Sequence, residues 1–481
     1  MKILDKYKKL SIQIRASMWF LICSFLQKGI SMITTPIFTR IMTSYEFGEF
    51  NVFNSWLNII TVFVTLNLYY GVFTKGLVQN DNDKERYASA LQGLCTFCVL
   101  IGVFVYFISH NFWNNIFKLT TTQMVLMFST IWTTSIFRFW SGYQRVELKY
   151  RELVIVTLIS SVAKPVVGIF FVLSSEDKVT ARILAIALVE LISYIGLYIS
   201  QMKRGRYFFV KHYWKHAISF NIPLIPHYLS QTVLNSSDRI MIKNMVGSKE
   251  AGIYSLAYSI SQIMIIFNNS LIKTIEPWIY KKIKAGRANE IGKVAYLSLI
   301  LVAVVNLVLI AFAPEAVYIF APTEYHMAIW IIPPVAMGVY FMFSYIFFAA
   351  IEFYFEKNHY ITYATMFGAV LNIILNYICI KLFGYLAAGY TTLVCYIIYS
   401  VMHYLFSKKI CNEEMDGVRI YELRKLLIIT GIFLIIGFML MFTYSYPLVR
   451  YGLIFSSGIF MIIKREKIIL ILKELVSLKK V

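Results

Sequence analysis

Fourteen apolar runs, each close to the length that crosses a lipid bilayer, follow one another along this chain with only short connections between them. They lie near 14–35, 50–71, 87–109, 121–141, 153–173, 181–201, 217–242, 251–275, 291–313, 326–351, 360–380, 385–406, 424–443 and 446–463. A spanning helix needs roughly 20 mostly apolar residues. In hydrocarbon every backbone N–H and C=O must be satisfied internally, and consecutive apolar runs of this length achieve that as helices. The pattern predicts an all-α polytopic membrane protein of about fourteen transmembrane helices. Composition agrees: 59% of the 481 residues are hydrophobic and 15% are charged, against roughly 45–50% and about 25% in soluble domains. Disorder, collagen, a coiled coil and a soluble multidomain enzyme are excluded for the chain as a whole.

The net charge of +21 comes from 46 Lys and Arg against 25 Asp and Glu. No basic run sits in a foldable soluble domain, so no nucleic-acid partner is expected. Basic residues instead concentrate in alternate connections. With a cytoplasmic N-terminus, 35 fall on inside segments and 9 in outside loops, which predicts that both termini are cytoplasmic. The basic start, with Lys2, Lys6, Lys8, Lys9 and Arg15, leads into an apolar run without a small-residue cleavage pattern, and reads as a retained first helix. Cys95 and Cys98 have CxxC spacing inside an apolar run, with no second ligand pair. They read as lipid-embedded side chains, so no metal or other cofactor is expected. Cys411 reads as part of a basic loop.

The basic, aromatic stretch 202–216 divides the chain and reads as a cytoplasmic linker resting on headgroups. It separates an N-terminal lobe of six helices (1–201) from a C-terminal lobe of six (217–407). Two further helices occupy 408–463, and 464–481 reads as a basic amphipathic tail lying on the membrane. A faint repeat supports the duplication. Glu46-Phe47-Gly48-Glu49-Phe50 follows the first run and Glu250-Ala251-Gly252-Ile253-Tyr254 follows the seventh. Each reads Glu-x-Gly-x-aromatic and opens the next helix. Copies six helices apart share an orientation, which implies parallel repeats.

Ionisable residues within spanning helices cost roughly 2.5–3.5 kcal/mol each on insertion scales and mark interiors or wet cavities. Here they are Lys28, Lys164, Glu190, Asp238 and Arg239. Polar stripes accompany them at helical spacing: Ser24, Lys28, Ser31 and Thr35 on the first run; Asn51, Ser55, Asn58, Thr61 and Thr65 on the second; His227, Gln231, Asn235, Arg239 and Lys243 on the seventh; Tyr254, Tyr258, Gln262 and Asn269 on the eighth. Such stripes either glue helices together or line a cavity. The pairing of first and second with seventh and eighth runs predicts one polar cavity between two lobes. Cations there call for an anionic substrate, whereas Asn, Gln and Tyr suit sugar hydroxyls. Asp238 and Glu190 are either ion-pair partners of these cations or ion-coupling groups. Pro223 and Pro226 interrupt the seventh run and predict a bent helix.

Several motifs resemble the Wzx-type oligosaccharide-lipid flippases of the multidrug/oligosaccharidyl-lipid/polysaccharide exporter superfamily. They are Pro36-Ile37-Phe38-Thr39-Arg40 with Glu46-x-Gly48, the stretch IPLIPHYLS at 222–230, Ser237-Asp238-Arg239, and Gly252-Ile253-Tyr254-Ser255. The resemblance spans essentially the whole chain. It implies movement of undecaprenyl-diphosphate-linked repeat units across the bacterial cytoplasmic membrane by alternating access, for O-antigen, capsule or another surface polysaccharide. Membrane lipids, a polysaccharide polymerase and a chain-length regulator are the implied partners. Lys28 and Arg239 match the cations that hold the diphosphate, with Lys164 and Arg40 as further candidates. Ser24, Ser31, Asn51, Ser55, Asn58, His227, Gln231, Asn235, Tyr258 and Gln262 are the cavity lining expected around it.

Two other classes fit the chain less well. A drug or cation antiporter of the same superfamily typically has twelve helices and carboxylates in its N-terminal half, where this chain has Glu190 as its one deep carboxylate. A membrane polymerase or glycosyltransferase needs acid and base groups near an outside surface. Glu176, Asp177, Glu315 and Glu324 are scattered over short loops without paired spacing. No GxxxxGK[ST] loop occurs, so no ATPase, and no enzyme of any kind, is expected.

Overall fold

The computed structural model describes residues 11–463 and 465–466. The N-terminal lysines and the tail at 464–481, apart from Arg465 and Glu466, lie outside the described residues. Eighteen α-helices and no strand occur among those described. Each of the fourteen apolar runs coincides with helix. In chain order the helices are α1 (Ile12–Ile41), α2 (Ser44–Thr65), α3 (Val72–Gln79), α4 (Lys84–Ile108), α5 (His110–Phe117), α6 (Thr121–Val146), α7 (Tyr150–Leu173), α8 (Lys178–Gly205), α9 (Lys211–Asn221), α10 (Ile225–Met245), α11 (Ser248–Lys284), α12 (Ile291–Ala311), α13 (Ala313–Phe320), α14 (Ile332–Tyr354), α15 (Asn358–Phe383), α16 (Ala387–Glu414), α17 (Leu423–Phe442) and α18 (Pro447–Ile463). Nine described segments are long and apolar enough to cross a membrane.

Local chemistry sets several boundaries. Thr43 accepts from the Glu46 N–H while Glu46 accepts from the Thr43 N–H, a reciprocal cap that starts α2. Thr120 and Gln123 do the same for α6. Glu250 lies in the first turn of α11, so both Glu-x-Gly-x-aromatic copies open a helix. The seventh run breaks at its prolines: α9 ends at Asn221, a 3-10 turn covers Ile222–Leu224, and α10 restarts at Ile225. Three short helices, α3, α5 and α13, were not anticipated. They carry too few apolar residues to register as runs.

The chain divides into two compact units at Ile240/Met241. Within the first, α8 packs against α4, α6 and α7, and α1 lies against α7. Within the second, α14 packs against α11, α12 and α16, and α15 lies against α16. Three packed pairs recur at equivalent places: α6–α8 with α14–α16, α7–α8 with α15–α16, and α4–α6 with α12–α14. The buried apolar core of the second unit centres on α11, α12 and α14, including Ile279, Val302, Met337, Tyr340 and Ile351.

Three sequence assignments are corrected. Arg138, one of the 35 basic residues counted on inside segments, lies inside α6. Cys411 is not in a loop. α16 continues to Glu414, and the thiol side is buried in the second unit's core. The stretch at 206–216, read as a linker on headgroups, docks on α4. Trp214 Nε1 donates to the Ala90 carbonyl at 2.8 Å, the Arg86 guanidinium sits 4.1 Å from the Tyr207 ring centre, and the Tyr213 hydroxyl bonds Asp83 at 3.2 Å.

Gly93 on α4 makes that docking possible. A Cβ there clashes with the Phe208 carbonyl oxygen, whereas one at Gly196 on α8 meets nothing within 4 Å. Gly93→Ala is expected to lower the thermal unfolding midpoint of the purified chain, in line with about 1–3 kcal/mol for overpacking. Gly196→Ala, which gains helix propensity, leaves the midpoint unchanged or raises it. A scan of both variants in one detergent checks this.

Candidate functional site

The first unit holds a polar cavity of about 360 Å³. Asn58 and Thr61 face it from α2, Asn67, Tyr69 and Tyr70 from the turn beyond, Arg138 from α6, and Tyr228, Gln231, Thr232 and Asn235 from α10. The turn after α2 is what brings the tyrosines in. Leu66 and Asn67 both adopt left-handed backbone, with φ of 51° and 50°, a conformation Asn tolerates and Leu resists. Side chains hold it there. Asn221 Nδ2 donates to the Leu66 carbonyl at 2.8 Å, and the Asn67 N–H donates to Thr65 Oγ1 at 3.2 Å.

Arg138 is the charge in this cavity. Its Nη1 donates to the Tyr69 hydroxyl at 2.7 Å, which in turn donates to Asn67 Oδ1 at 2.9 Å. The guanidinium lies 4.6 Å from the Tyr69 ring centre and 5.8 Å from that of Tyr70. Tyr70 stacks on Tyr228 with centroids 6.1 Å apart. Among the described residues no carboxylate pairs with Arg138. A guanidinium carries five donors, so most of them remain for a ligand in the cavity. Planar forked donors match phosphate oxygens, and the phenol and amide groups around them match hydroxyls.

A second cavity of about 210 Å³ in the same unit is lined by Gln27, Ser31 and Thr34 of α1, Ser161 and Lys164 of α7, and Arg182 of α8. Its lysine is neutralised. Lys164 Nζ donates to Glu190 Oε1 at 2.5 Å, while the Thr133 and Thr134 hydroxyls donate to Oε2 at 2.8 and 2.9 Å. Glu190 is buried, and both of its carboxylate oxygens accept hydrogen bonds. Arg182 is stacked between Phe38 and Phe50, at 3.6 and 3.7 Å from their ring centres.

The predicted site residues therefore separate. Asn58, Gln231 and Asn235 meet in the first cavity, and Ser31 and Lys164 in the second. Lys28 and Ser24 are exposed on α1, so Lys28 is not the buried cation the sequence suggested. Ser24 donates to the Phe20 carbonyl of its own helix. Arg40 is exposed at the end of α1 and donates to the Pro36 carbonyl. Asn51 and Ser55 also bond their own helix. Arg239 is half-buried one turn beyond Asn235, donating to its carbonyl at 2.8 Å, and Asp238 is buried. His227 lies on α10, with Nδ1 unbonded among the described residues. Tyr258 and Gln262 belong to α11 in the second unit. Arg138, Asn67 and the tyrosine turn were missed. The signal for Arg138 was present, since it lies three residues before the end of the fourth apolar run.

With this geometry in hand, similarity to known proteins decides the family. The family model described as "Polysaccharide biosynthesis protein" matches residues 14–284, more than half of the chain. The chain belongs to that family. The model named MatE matches residues 223–378. A protein of Haemophilus influenzae named "Lsg locus putative protein 1" is 24% identical over 209 residues, 41% of this chain. The chain spans about half (51%) of that relative's length. An "Uncharacterized membrane protein" of the same organism is 23% identical over 308 residues, 60% of this chain and 71% of the relative. Among solved structures, "Lipid II flippase MurJ, inward closed conformation" superposes with a TM-score of 0.71 at 15% identity, covering 93% of this chain and 99% of that one. An inward-facing multidrug resistance MATE family transporter of the MOP superfamily gives 0.64 at 13% identity, covering 81% and 96%. At these identities the structures share the fold. The chain is thus a multi-pass membrane protein of the polysaccharide biosynthesis family, and it shares its fold with a solved lipid II flippase and a solved MATE transporter.

The Lys164–Glu190 pair offers a test of the site's scaffold. Removing one partner of a buried pair strands the other, typically at about 3–5 kcal/mol. Glu190→Ala is expected to lower the unfolding midpoint of the purified chain markedly. The double variant Lys164→Met with Glu190→Leu is expected to regain most of the loss in the same thermal scan.

Proposed function

We propose that this chain is a flippase that moves undecaprenyl-diphosphate-linked oligosaccharide repeat units from the inner to the outer leaflet of the bacterial cytoplasmic membrane. It acts by alternating access, with both termini cytoplasmic, and serves O-antigen or another surface polysaccharide. A polysaccharide polymerase and its chain-length regulator receive the product. The observation that carries this reading is Arg138: a cation without a carboxylate partner among the described residues, set in a polar cavity walled by phenols and amides, in a member of a polysaccharide biosynthesis family. In a low-dielectric surrounding such a cation gains most from a polyanion.

Arg138 holds the diphosphate, and Arg239 lies one turn beyond the cavity-lining Asn235 to assist it. Asn58, Gln231, Asn235, Tyr70 and Tyr228 receive the sugar hydroxyls. Lys28, exposed on α1, and Arg40, at the end of that helix, meet the anionic substrate or lipid headgroups on its way. Lys164 acts through Glu190 as a positioning pair. Asp238 and Glu190 are the two carboxylates considered for ion coupling, and Glu190 accepts from Lys164 and two threonines. That same commitment disfavours export of cationic drugs, which need a free carboxylate.

Substitution tests these roles. Arg138→Ala, Arg239→Ala and Lys28→Ala are each expected to leave the protein in the membrane. Each is also expected to cut export of surface polysaccharide at least tenfold, about 1.4 kcal/mol. Arg138→Lys is expected to restore part of the loss, since it returns charge without the fork. Normal export by Arg138→Ala at matched expression contradicts the assignment. Polysaccharide appearing at the cell surface, normalised to membrane-resident protein, is the readout.

A further inference from the structure

The second unit contains a buried acid–base pair that the substrate cavity does not use. Glu352, on α14, and His403, on α16, are both fully buried, with 0% exposure. Glu352 Oε1 lies 2.8 Å from His403 Nδ1. The other polar atom of each, Glu352 Oε2 and His403 Nε2, has no hydrogen-bond partner among the described residues. Two tyrosines enclose the imidazole. Tyr345 stacks on it at 5.1 Å, and Tyr399 meets it edge-on at 4.5 Å.

This arrangement constrains where a proton sits. Ionised Glu352 beside neutral His403 is one net negative charge with half its acceptors unmet, in a site without exposure. That state costs several kcal/mol. One proton shared between Oε1 and Nδ1 removes the net charge, whichever atom carries it. The resting pair therefore holds a proton. Release, to a water molecule, becomes favourable only when the site is wetted or the two helices part. α14 and α16 are packed against one another, so any motion that separates them changes the pair's affinity for its proton.

The carboxyl side of the pair lies near one end of its helix. Glu352 is two residues from the end of α14, and the exposed His359 at the start of α15 is close enough for its charge to act on Glu352. The exposed ion pair Lys357–Glu414, 2.8 Å, marks the same end. Titratable groups on the elements packed around the pair are Glu276 of α11, Tyr296 of α12, Tyr345 of α14 itself, His359 of α15, Tyr399 of α16 and Tyr421 ahead of α17. Four are phenols, which ordinarily ionise only near pH ~10. Glu276 is bonded to the Tyr280 hydroxyl at 2.9 Å, and His359 faces outward. None of these supplies a second buried base beside Glu352.

We infer that Glu352 and His403 form a proton-binding site, apart from the Arg138 cavity, whose loading and unloading drives the transport cycle. Use of the bound proton for transport rests on the flippase reading, whereas its binding does not.

Infrared difference spectroscopy of the purified full chain in lipid bilayers, between mildly acidic and mildly alkaline buffer, tests the binding directly. The wild type is expected to show the carbonyl stretch of a protonated carboxylic acid that titrates. Glu352→Gln is expected to lose that band. His403→Gln, which keeps the carboxyl but alters its neighbour, is expected to displace the band and its titration midpoint. If Glu352→Gln does not fold, the displacement in His403→Gln carries the test alone. A spectrum unchanged by either substitution overturns the proposal and leaves the pair as a pin between two helices. Because no substrate is present, failure of the flippase reading leaves these bands untouched.

Discussion

Hydrocarbon tolerates no unsatisfied backbone group and few unpaired charges, and the rest of this structure follows from how that demand is met. Backbone groups are met by helix over most of the described residues. Polar side chains are met mostly by their own helix. Ser55, Thr61, Thr232 and Asn235 each donate to the carbonyl four residues earlier. Charges are met in three ways. Lys164 has a carboxylate and that carboxylate has two threonines. Arg182 has two aromatic faces. Arg138 has a phenol and an open polar space.

The third solution is the informative one. A cation that is fully paired holds a scaffold together, and one that is not awaits a ligand. Arg138 and Lys164 belong to neighbouring parts of one unit and carry the same formal charge, yet their surroundings assign them different work. The backbone around Arg138 points the same way. Left-handed Leu66 and Asn67 are held by Asn221 and Thr65, and strain of this kind persists where the surrounding structure over-determines it. Its consequence is to turn Tyr69 and Tyr70 toward the guanidinium.

Much of this was legible beforehand, and for physical reasons. Spanning helices announce themselves because about twenty apolar residues have no other low-cost arrangement in lipid. Pro223 and Pro226 announced a break because proline removes a donor from the ladder. The Glu-x-Gly-x-aromatic copies marked helix starts, and at Glu46 the cap explains why. Individual partners were not legible. Lys28 and Lys164 look alike in sequence, but only the fold places Glu190 beside one of them. Arg138 was hidden because a basic residue near the end of an apolar run reads as a loop charge until α6 is seen to continue to Val146. The Glu352–His403 pair was hidden for a similar reason. Glu352 lies one residue beyond its apolar run, and a neutral histidine does not register as a buried charge.

The central claim is that this chain carries a lipid-linked oligosaccharide between leaflets. Its most direct measurement is the leaflet that holds the completed repeat unit after the gene is deleted from its native host. Accumulation on the cytoplasmic face, reversed when the wild-type chain is re-expressed, is the expected result. Repeat units that still reach the outer face and polymerise at the normal rate, in a host shown to have no second flippase, contradict it.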